Sequence, residues 1–398
     1  MNMLIKPNKL NGSLPAIPSK SQAHRVLICS AFSDLPTTII CPSTNQDIEA
    51  TVDCLRELGA MIHRNTDGYY VEPIINLPSS AQLHCRESGS TLRFLLPVVG
   101  AIGVDATFHM EGRLPYRPLT PLWDVMQSHG CYLTKPSETT IRCQGKLLPG
   151  NYTIAGNVSS QFISGLLIAC SLLSGYSEIC VTGDMQSFPY VQMTQYVLKC
   201  FGSECEDMKV RGRETFASPG DWVVEGDWSN SAFFLAANDL GNSITIGNLS
   251  EESIQGDRCV TELLNMLNEH CTINAADIPD LVPILSLVAC CKKGAVFSNT
   301  DRLRFKESDR VAAIISMLSA LGCNAEAYDD KIIVHPGIIR GGNIDSFNDH
   351  RIAMTAAIAA TVADSPVMIQ NAQCVEKSYP VFWDDYRSLG GNYEQFIR

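Results

Sequence analysis

The sequence predicts an α/β protein of two domains, each assembled from three similar units. Three observations predict it: a helix–glycine–strand signature recurring six times, a length of 398 residues with 45% hydrophobic residues, and repeated clusters of small polar and basic residues where helices open. The signature reads Cys54-Leu55-Arg56-Glu57-Leu58-Gly59, Val125-Met126-Gln127-Ser128-His129-Gly130 and Val197-Leu198-Lys199-Cys200-Phe201-Gly202 in the first half. It returns as Leu264-Asn265-Met266-Leu267-Asn268-Glu269-His270, Met317-Leu318-Ser319-Ala320-Leu321-Gly322 and Tyr386-Arg387-Ser388-Leu389-Gly390. Each copy ends an amphipathic helix in a left-handed cap, ahead of a short strand such as Met61-Ile62-His63. The first glycines stand 71 and 72 residues apart, whereas the fourth copy carries His270 in the glycine's place and the fifth follows after only 52. Such long steps exclude a solenoid and indicate globular subdomains sharing cores.

Composition narrows the function. A net charge of −12 with only 18% charged residues argues against a nucleic-acid or anionic-membrane partner. Sixteen cysteines sit mostly in apolar contexts such as Ala289-Cys290-Cys291, without a Cys-x-x-Cys pair, and read as reduced thiols of a cytoplasmic protein. The N-terminus has no signal-peptide core, and the longest apolar run, Phe162 to Leu173, is too short to cross a bilayer. No Gly-x-Gly-x-x-Gly follows a predicted strand and no Walker-type Gly-x-x-x-x-Gly-Lys is present, so nucleotide-binding folds of those kinds are excluded.

Six clusters carry the chemistry. Ser19-Lys20-Ser21 with Arg25 crowds anion-seeking groups at the start of a helix that runs on through Val26, Leu27 and Ile28. Ser88-Gly89-Ser90 with Arg93 is a small-residue turn leading into a helix, able to present backbone amides to an anion. Arg113 and Arg117 sit on a proline-stiffened loop, and Ser159-Ser160-Gln161 opens the apolar helix from Phe162. Lys306-Glu307-Ser308-Asp309-Arg310 and Asn348-Asp349-His350-Arg351 open two further helices. Taken singly, each is explained as well by helix capping or a solvated ion pair. Four of the six open helices, a fifth leads into one, and five carry Lys or Arg, which together describes a pocket for several anionic groups.

These motifs, with Ile278-Pro279-Asp280, resemble in order and over essentially the whole chain the 5-enolpyruvylshikimate-3-phosphate synthase family. The resemblance implies transfer of the enolpyruvyl group of phosphoenolpyruvate to the 5-hydroxyl of shikimate 3-phosphate, with release of phosphate and no metal or other cofactor. It implies two domains of three βαβαββ units each in a pseudo-threefold, inside-out α/β barrel, with the active site in the interdomain cleft. One domain is expected at residues 13–225 and the other at 1–12 plus 226–398. Family precedent points to a monomer.

Carried over by position, Lys20 touches both substrates, and Ser21 and Arg25 hold the shikimate carboxylate side. Ser159, Ser160, Ser187 and Lys306 match ligands of the shikimate phosphate. Gly89, Arg113 and Gln161 match ligands of the phosphoenolpyruvate phosphate, with Gln161 also on the shikimate 3-phosphate side. Arg310, Arg351 and Lys377 match the cations around the carboxylate. Asp280 corresponds to the base for the attacking hydroxyl and Glu307 to the acid that protonates the methylene carbon. Addition to an enol ether needs both proton transfers, and hence two carboxyls in different environments. Glu307 needs a raised pKa for that role, which flanking Lys306 opposes. Glu87 and Arg302 stand where the family often has asparagine, altering the polarity beside one substrate and a ring contact to the other.

Other readings are weaker. The enolpyruvyl transferases acting on UDP-N-acetylglucosamine place a reactive cysteine in the loop matching Gly112–Pro118, and this chain has none there. An RNA 3′-phosphate cyclase is opposed by the acidic balance. A non-catalytic binding module has no use for both Asp280 and Glu307. Because the ligands of one phosphate fall in both halves of the chain, the domains are expected to close on substrate. Small-angle scattering should then show a smaller radius of gyration with both substrates than without.

Overall fold

The recurring signature marks the second helix of a strand–helix–strand–helix–strand–strand repeat. A computed structural model describes residues 1–396. The chain divides into one unit of Pro18–Glu225 and another of Met1–Ile17 with the segment from Gly226 onward. The first boundary therefore falls five residues later than the expected 12/13. The cause is strand pairing: Asn11–Pro15 lies parallel to Ser243–Gly247 and stays with the second unit.

The Pro18–Glu225 unit holds α1 (Lys20–Ala31), α2 (Gln46–Glu57), α3 (Gly89–Ile102), α4 (Leu122–Ser128), α5 (Ser160–Ser171) and α6 (Phe188–Cys200). Its three four-stranded sheets share one order, a parallel pair followed by an antiparallel hairpin. Ser80–Arg86 runs parallel to Asp105–Met110, which pairs with the hairpin Cys131–Ser137/Thr140–Gly145. Asn151–Ala155, Gly175–Thr182 and the hairpin of Glu204–Glu206 and Lys209–Gly212 repeat the pattern. The remaining sheet takes its first strand, Asp221–Val223, from the far end of the unit.

The two helices of a repeat have opposite characters. In α2 the apolar positions Ile48, Val52 and Leu55 form one buried stripe, as expected of a surface helix. In α5 every residue but Gln161 is buried, and in α3 every residue but Ser90 and Ile102. These inner helices meet closely. Pro97 has no N–H for the carbonyl of Arg93, and Gly165 of α5 lies against that carbonyl, where a Cβ would stand 2.2 Å from it. Only glycine permits that approach.

The second unit holds α7 (Trp228–Asp239), α8 (Val260–Met266), α9 (Val282–Cys291), α10 (Arg310–Ala320), α11 (His350–Ala359) and α12 (Phe382–Ser388). The inner helices here are α7, α9 and α11, and all ten residues of α11 are buried. Two sheets have the full pattern, one of them completed by the N-terminal strand Asn2–Lys6. The third repeat keeps strand, inner helix, strand and outer helix, then stops. Its sheet has only Asn11–Pro15 and Ser243–Gly247, and the strand after His270, Cys271–Asn274, already opens the next repeat. The short step of 52 residues and the absent glycine thus mark a missing hairpin. The other copies do end in left-handed glycines, at Gly59, Gly130, Gly202, Gly322 and Gly390.

Without a hairpin, the outer edge of Ser243–Gly247 lacks a strand partner. Asn238 of α7 takes the place of one residue of it. Its Nδ2 donates to the Ile244 carbonyl and its Oδ1 accepts from the Ile244 N–H, both at 2.7 Å. A side-chain amide reproduces the donor and acceptor that a neighbouring strand would present, and so blocks edge pairing. Asn238→Ala should cost about 1–2 kcal/mol in denaturant unfolding and raise self-association in light scattering.

Candidate active site

In each unit the inner helices bring their N-terminal ends to one cluster. Burial forces this, since the first N–H groups of a helix have no partners within it and must find polar company at the end that is not sealed. In the Pro18–Glu225 unit, Ser19 caps α1 through the Gln22 N–H, Ser88 caps α3 through Thr91 and Ser159 caps α5 through Gln161. The positive ends of three helix dipoles then lie beside Lys20, Gly89, Ser90, Ser160 and Gln161, where they favour an anion.

Side chains lock this cluster together. Gln161 accepts from Arg93 Nη1 and donates to Ser90 Oγ, both at 2.9 Å, so α5 and α3 are joined at their first turns. A hydroxyl relay ties in the others: His24 Nδ1 to Thr51 Oγ1, Thr51 to Thr91 Oγ1, and Thr91 to Ser88 Oγ, each at 2.7 Å. Burial, with Lys20 and Arg25 nearby, holds His24 well below its usual pKa and thus neutral. Lys20 Nζ is 2.7 Å from Asp47 Oδ2, a partner that sequence reasoning missed although Asp47 stands in the first turn of α2.

Arg25 has a structural engagement that its spacing from Ser21 did not reveal. Its Nε donates to Thr194 Oγ1 at 2.7 Å, Nη1 to the Ser21 carbonyl at 2.6 Å and Nη2 to the Tyr190 carbonyl at 2.9 Å. Burial lowers its pKa to about 10. Ser187 is buried at the cap of α6 in the left-handed region. Arg113 is exposed on its loop, whereas Arg93 and Arg117 flank Gly89 closely enough that a Cβ there would stand 2.7 and 2.9 Å from their Nη1 atoms. The two arginines beside the turn were legible as cluster members but not as its immediate neighbours.

The second unit centres on Arg310, 1% exposed, whose guanidinium meets three carboxylates. Nε donates to Asp349 Oδ2 at 2.8 Å, Nη1 to Asp280 Oδ1 at 2.6 Å and Nη2 to Glu307 Oε2 at 2.7 Å. These acids raise its pKa well above the ordinary value despite burial. Asp349 is more than the cap of α11: it accepts from the Arg351 N–H at 2.9 Å and from Ser308 Oγ at 2.9 Å. Arg351 Nη2 lies 3.2 Å from Asp280 Oδ2 and Nη1 2.9 Å from the Ser229 carbonyl, while its buried Nε has no protein partner. Burial alone would raise the Asp280 pKa, but Arg351, Arg310 and Lys306 outweigh it and hold the carboxyl well below the usual range. Desolvation, with Arg302 and Arg310 adding to it, lowers Lys306 to about 7 against the pull of Asp280 and Glu307. Lys377 Nζ donates to the Asn348 carbonyl at 2.9 Å. Asp280, Lys306, Glu307, Arg310 and Arg351 are thus one electrostatic cluster, with Lys377 bound to the segment leading into α11. Among the described residues no group of three or more His, Cys, Asp or Glu is placed to hold a metal ion, and no helix is long and apolar enough to cross a membrane.

An anion-binding cluster in one unit and a cluster of acids and cations in the other suit a class of enzyme that does acid–base chemistry on anionic substrates. The family model described as EPSP synthase (3-phosphoshikimate 1-carboxyvinyltransferase) matches residues 4–277 and 266–386. The 3-phosphoshikimate 1-carboxyvinyltransferase of Clostridium kluyveri is 38% identical, with 98% of each chain covered, and that of Clostridioides difficile is 35% identical, with 99% of each covered. A solved EPSP synthase from Acinetobacter baumannii has the same fold at a TM-score of 0.80 and 22% identity, over 99% of this chain and 100% of that one. The chain belongs to the EPSP synthase family. The alignment with the Clostridium kluyveri enzyme spans 418 positions, longer than this chain of 398, and the two family matches overlap at 266–277, where the hairpin is missing.

Arg310→Met would leave three clustered carboxylates without their shared cation. Thermal or denaturant unfolding should show a loss of about 3–5 kcal/mol.

Proposed function

We infer that this chain transfers the enolpyruvyl group of phosphoenolpyruvate to the 5-hydroxyl of shikimate 3-phosphate, releasing phosphate. It is thereby a transferase of aromatic amino acid and chorismate biosynthesis. The observation that carries the residue assignment is the joining of Asp280 and Glu307 through one guanidinium, Arg310, with Arg351 against the same aspartate. Two carboxyls are thus held at fixed positions beside cations, as an addition with two proton transfers requires.

In this reading Asp280 takes the proton of the attacking hydroxyl, and Glu307 delivers one to the methylene carbon. The hydroxyl oxygen bonds to the central carbon, forming a tetrahedral ketal that bears carboxylate and phosphate. Elimination returns the double bond: Glu307, now ionised, takes back a methyl proton, the carbon–phosphate oxygen bond breaks, and the proton held by Asp280 leaves with the phosphate. The arginines keep Asp280 ionised but make it a weak base. When the phosphoenolpyruvate carboxylate draws Arg351 and Lys377 to itself, Asp280 loses part of that restraint and its basicity rises. The partnerless Nε of Arg351 is a donor suited to that carboxylate.

In the other unit, Gly89, Gln161 and Arg113, with Arg93 and Arg117, form the set for the phosphoenolpyruvate phosphate. Ser159, Ser160 and Ser187, with Lys306 of the second unit, form the set for the shikimate phosphate. Lys20, paired with Asp47, is the cation for both substrates. Ser21 and Arg25 serve the shikimate carboxylate side, Arg25 chiefly by bracing α1 against α6. The acceptor UDP-N-acetylglucosamine is not favoured. A monomer in the cytoplasm fits sixteen free cysteines, most of them buried or partly buried.

Phosphate release from phosphoenolpyruvate should depend strictly on shikimate 3-phosphate; release without the acceptor would refute the assignment. Glu307→Gln should lower kcat by about 10²–10⁴ with little change in substrate binding measured by calorimetry.

A further inference from the structure

The turn Ser253–Cys259 is stitched to the start of α7 by two side chains. Gln255 accepts from the Trp228 N–H at 3.1 Å and donates to the Gly226 carbonyl at 2.8 Å. Asp257, 1% exposed, accepts a short hydrogen bond from Ser229 Oγ. The carbonyl of that same serine receives Arg351 Nη1, and Arg351 Nη2 reaches Asp280 Oδ2. A path of direct contacts therefore runs from Asp257 through Ser229 and Arg351 to the proposed base. The reaction as written above makes no use of Asp257.

Charge is unbalanced around this path. Asp257 faces Asp227 at the cap of α7, Asp280 ahead of α9 and Arg351 on α11, with Cys259 in its own turn. Asp257 thus faces two other acids, Asp227 and Asp280, and the base Arg351, with Arg302, Lys306, Arg310, Glu307 and Asp349 further along the same cluster. A bound carboxylate adds another negative charge to a set already short of cations. Burial, then Asp280, raise Asp257 to about 7 against Ser229 and Arg351, so its proton is the one available near neutrality.

We propose that Asp257 is a positioning residue for the Arg351–Asp280 pair, acting through Ser229, and that it takes up a proton from solvent when an anionic substrate occupies that pair. The proposal rests on the reading of Arg351 as a phosphoenolpyruvate ligand. The proton adds to a carboxylate oxygen of Asp257, so the carboxyl stays bonded to Ser229 without repelling the incoming charge.

Asp257→Asn keeps the size and the hydrogen bond of the protonated form but cannot ionise. The readout is the ratio of KM for phosphoenolpyruvate, wild type over variant, from pH 6 to 8.5. Lys306 and the substrate titrate in both proteins and cancel in the ratio. The ratio should stay constant below pH 6.5 and rise about tenfold by pH 8.5. A ratio independent of pH would mean that Asp257 is merely structural and would overturn the proposal. Thermal unfolding without substrate decides the matter even if phosphoenolpyruvate is not the ligand. A carboxyl whose pKa is raised on folding contributes stability below its unfolded pKa that is lost as pH rises through about 7. The Tm of Asp257→Asn relative to wild type should therefore climb by a few degrees between pH 5 and 8, and a constant difference would likewise refute the proposal.

Discussion

The bond set of Arg310 is the constraint on which the second unit depends. One guanidinium, sealed from solvent, fixes Asp349 at the start of α11, Asp280 ahead of α9 and Glu307 ahead of α10. Neither the arginine nor Asp349 could be buried alone at tolerable cost. With the partly buried Asp280 and Glu307 they satisfy one another in a geometry that allows little slack, so the two carboxyls of the proposed pair are brought together by solving a burial problem. The arrangement also holds Asp280 ionised beside its cations.

The same logic acts more broadly through the inner helices. A helix buried along its length can present polar groups only at its ends, and in each unit three N-terminal ends do so together. The residues that escape burial in the inner helices of the first unit lie mostly in the first turn: Lys20 and Ser21, Ser90, and Gln161. Sheets and outer helices supply the apolar enclosure that makes this exposure selective. Function therefore sits at one kind of position throughout, and repeats of one topology build two clusters of different chemistry by changing only those turns.

The helix–glycine–strand signature was legible because capping is local, and the left-handed glycines stand where the pattern placed them. The clusters at inner-helix starts were legible for the same reason. What could not be read was pairing across repeats. Asp349, one member of a helix-opening motif, is a ligand of Arg310, and Asp47, outside every motif, holds Lys20. Arg25 also braces α1 against α6, a contact its spacing from Ser21 does not carry. Each outcome depends on which helices become neighbours, and spacing along the chain does not carry that. The interval of 52 residues was visible, but only strand order shows that it removes a hairpin and not a helix.

That short repeat shows how little the inner helices depend on the outer layer. It has no hairpin among the described residues, yet the inner helix α7 still delivers Ser229 and Asn230 to Arg351. One asparagine closes the exposed edge. The segment between Met266 and Cys271 joins the outer helix α8 to the next strand and takes no part in those contacts, which makes this junction a natural place to graft a foreign peptide or reporter onto the scaffold.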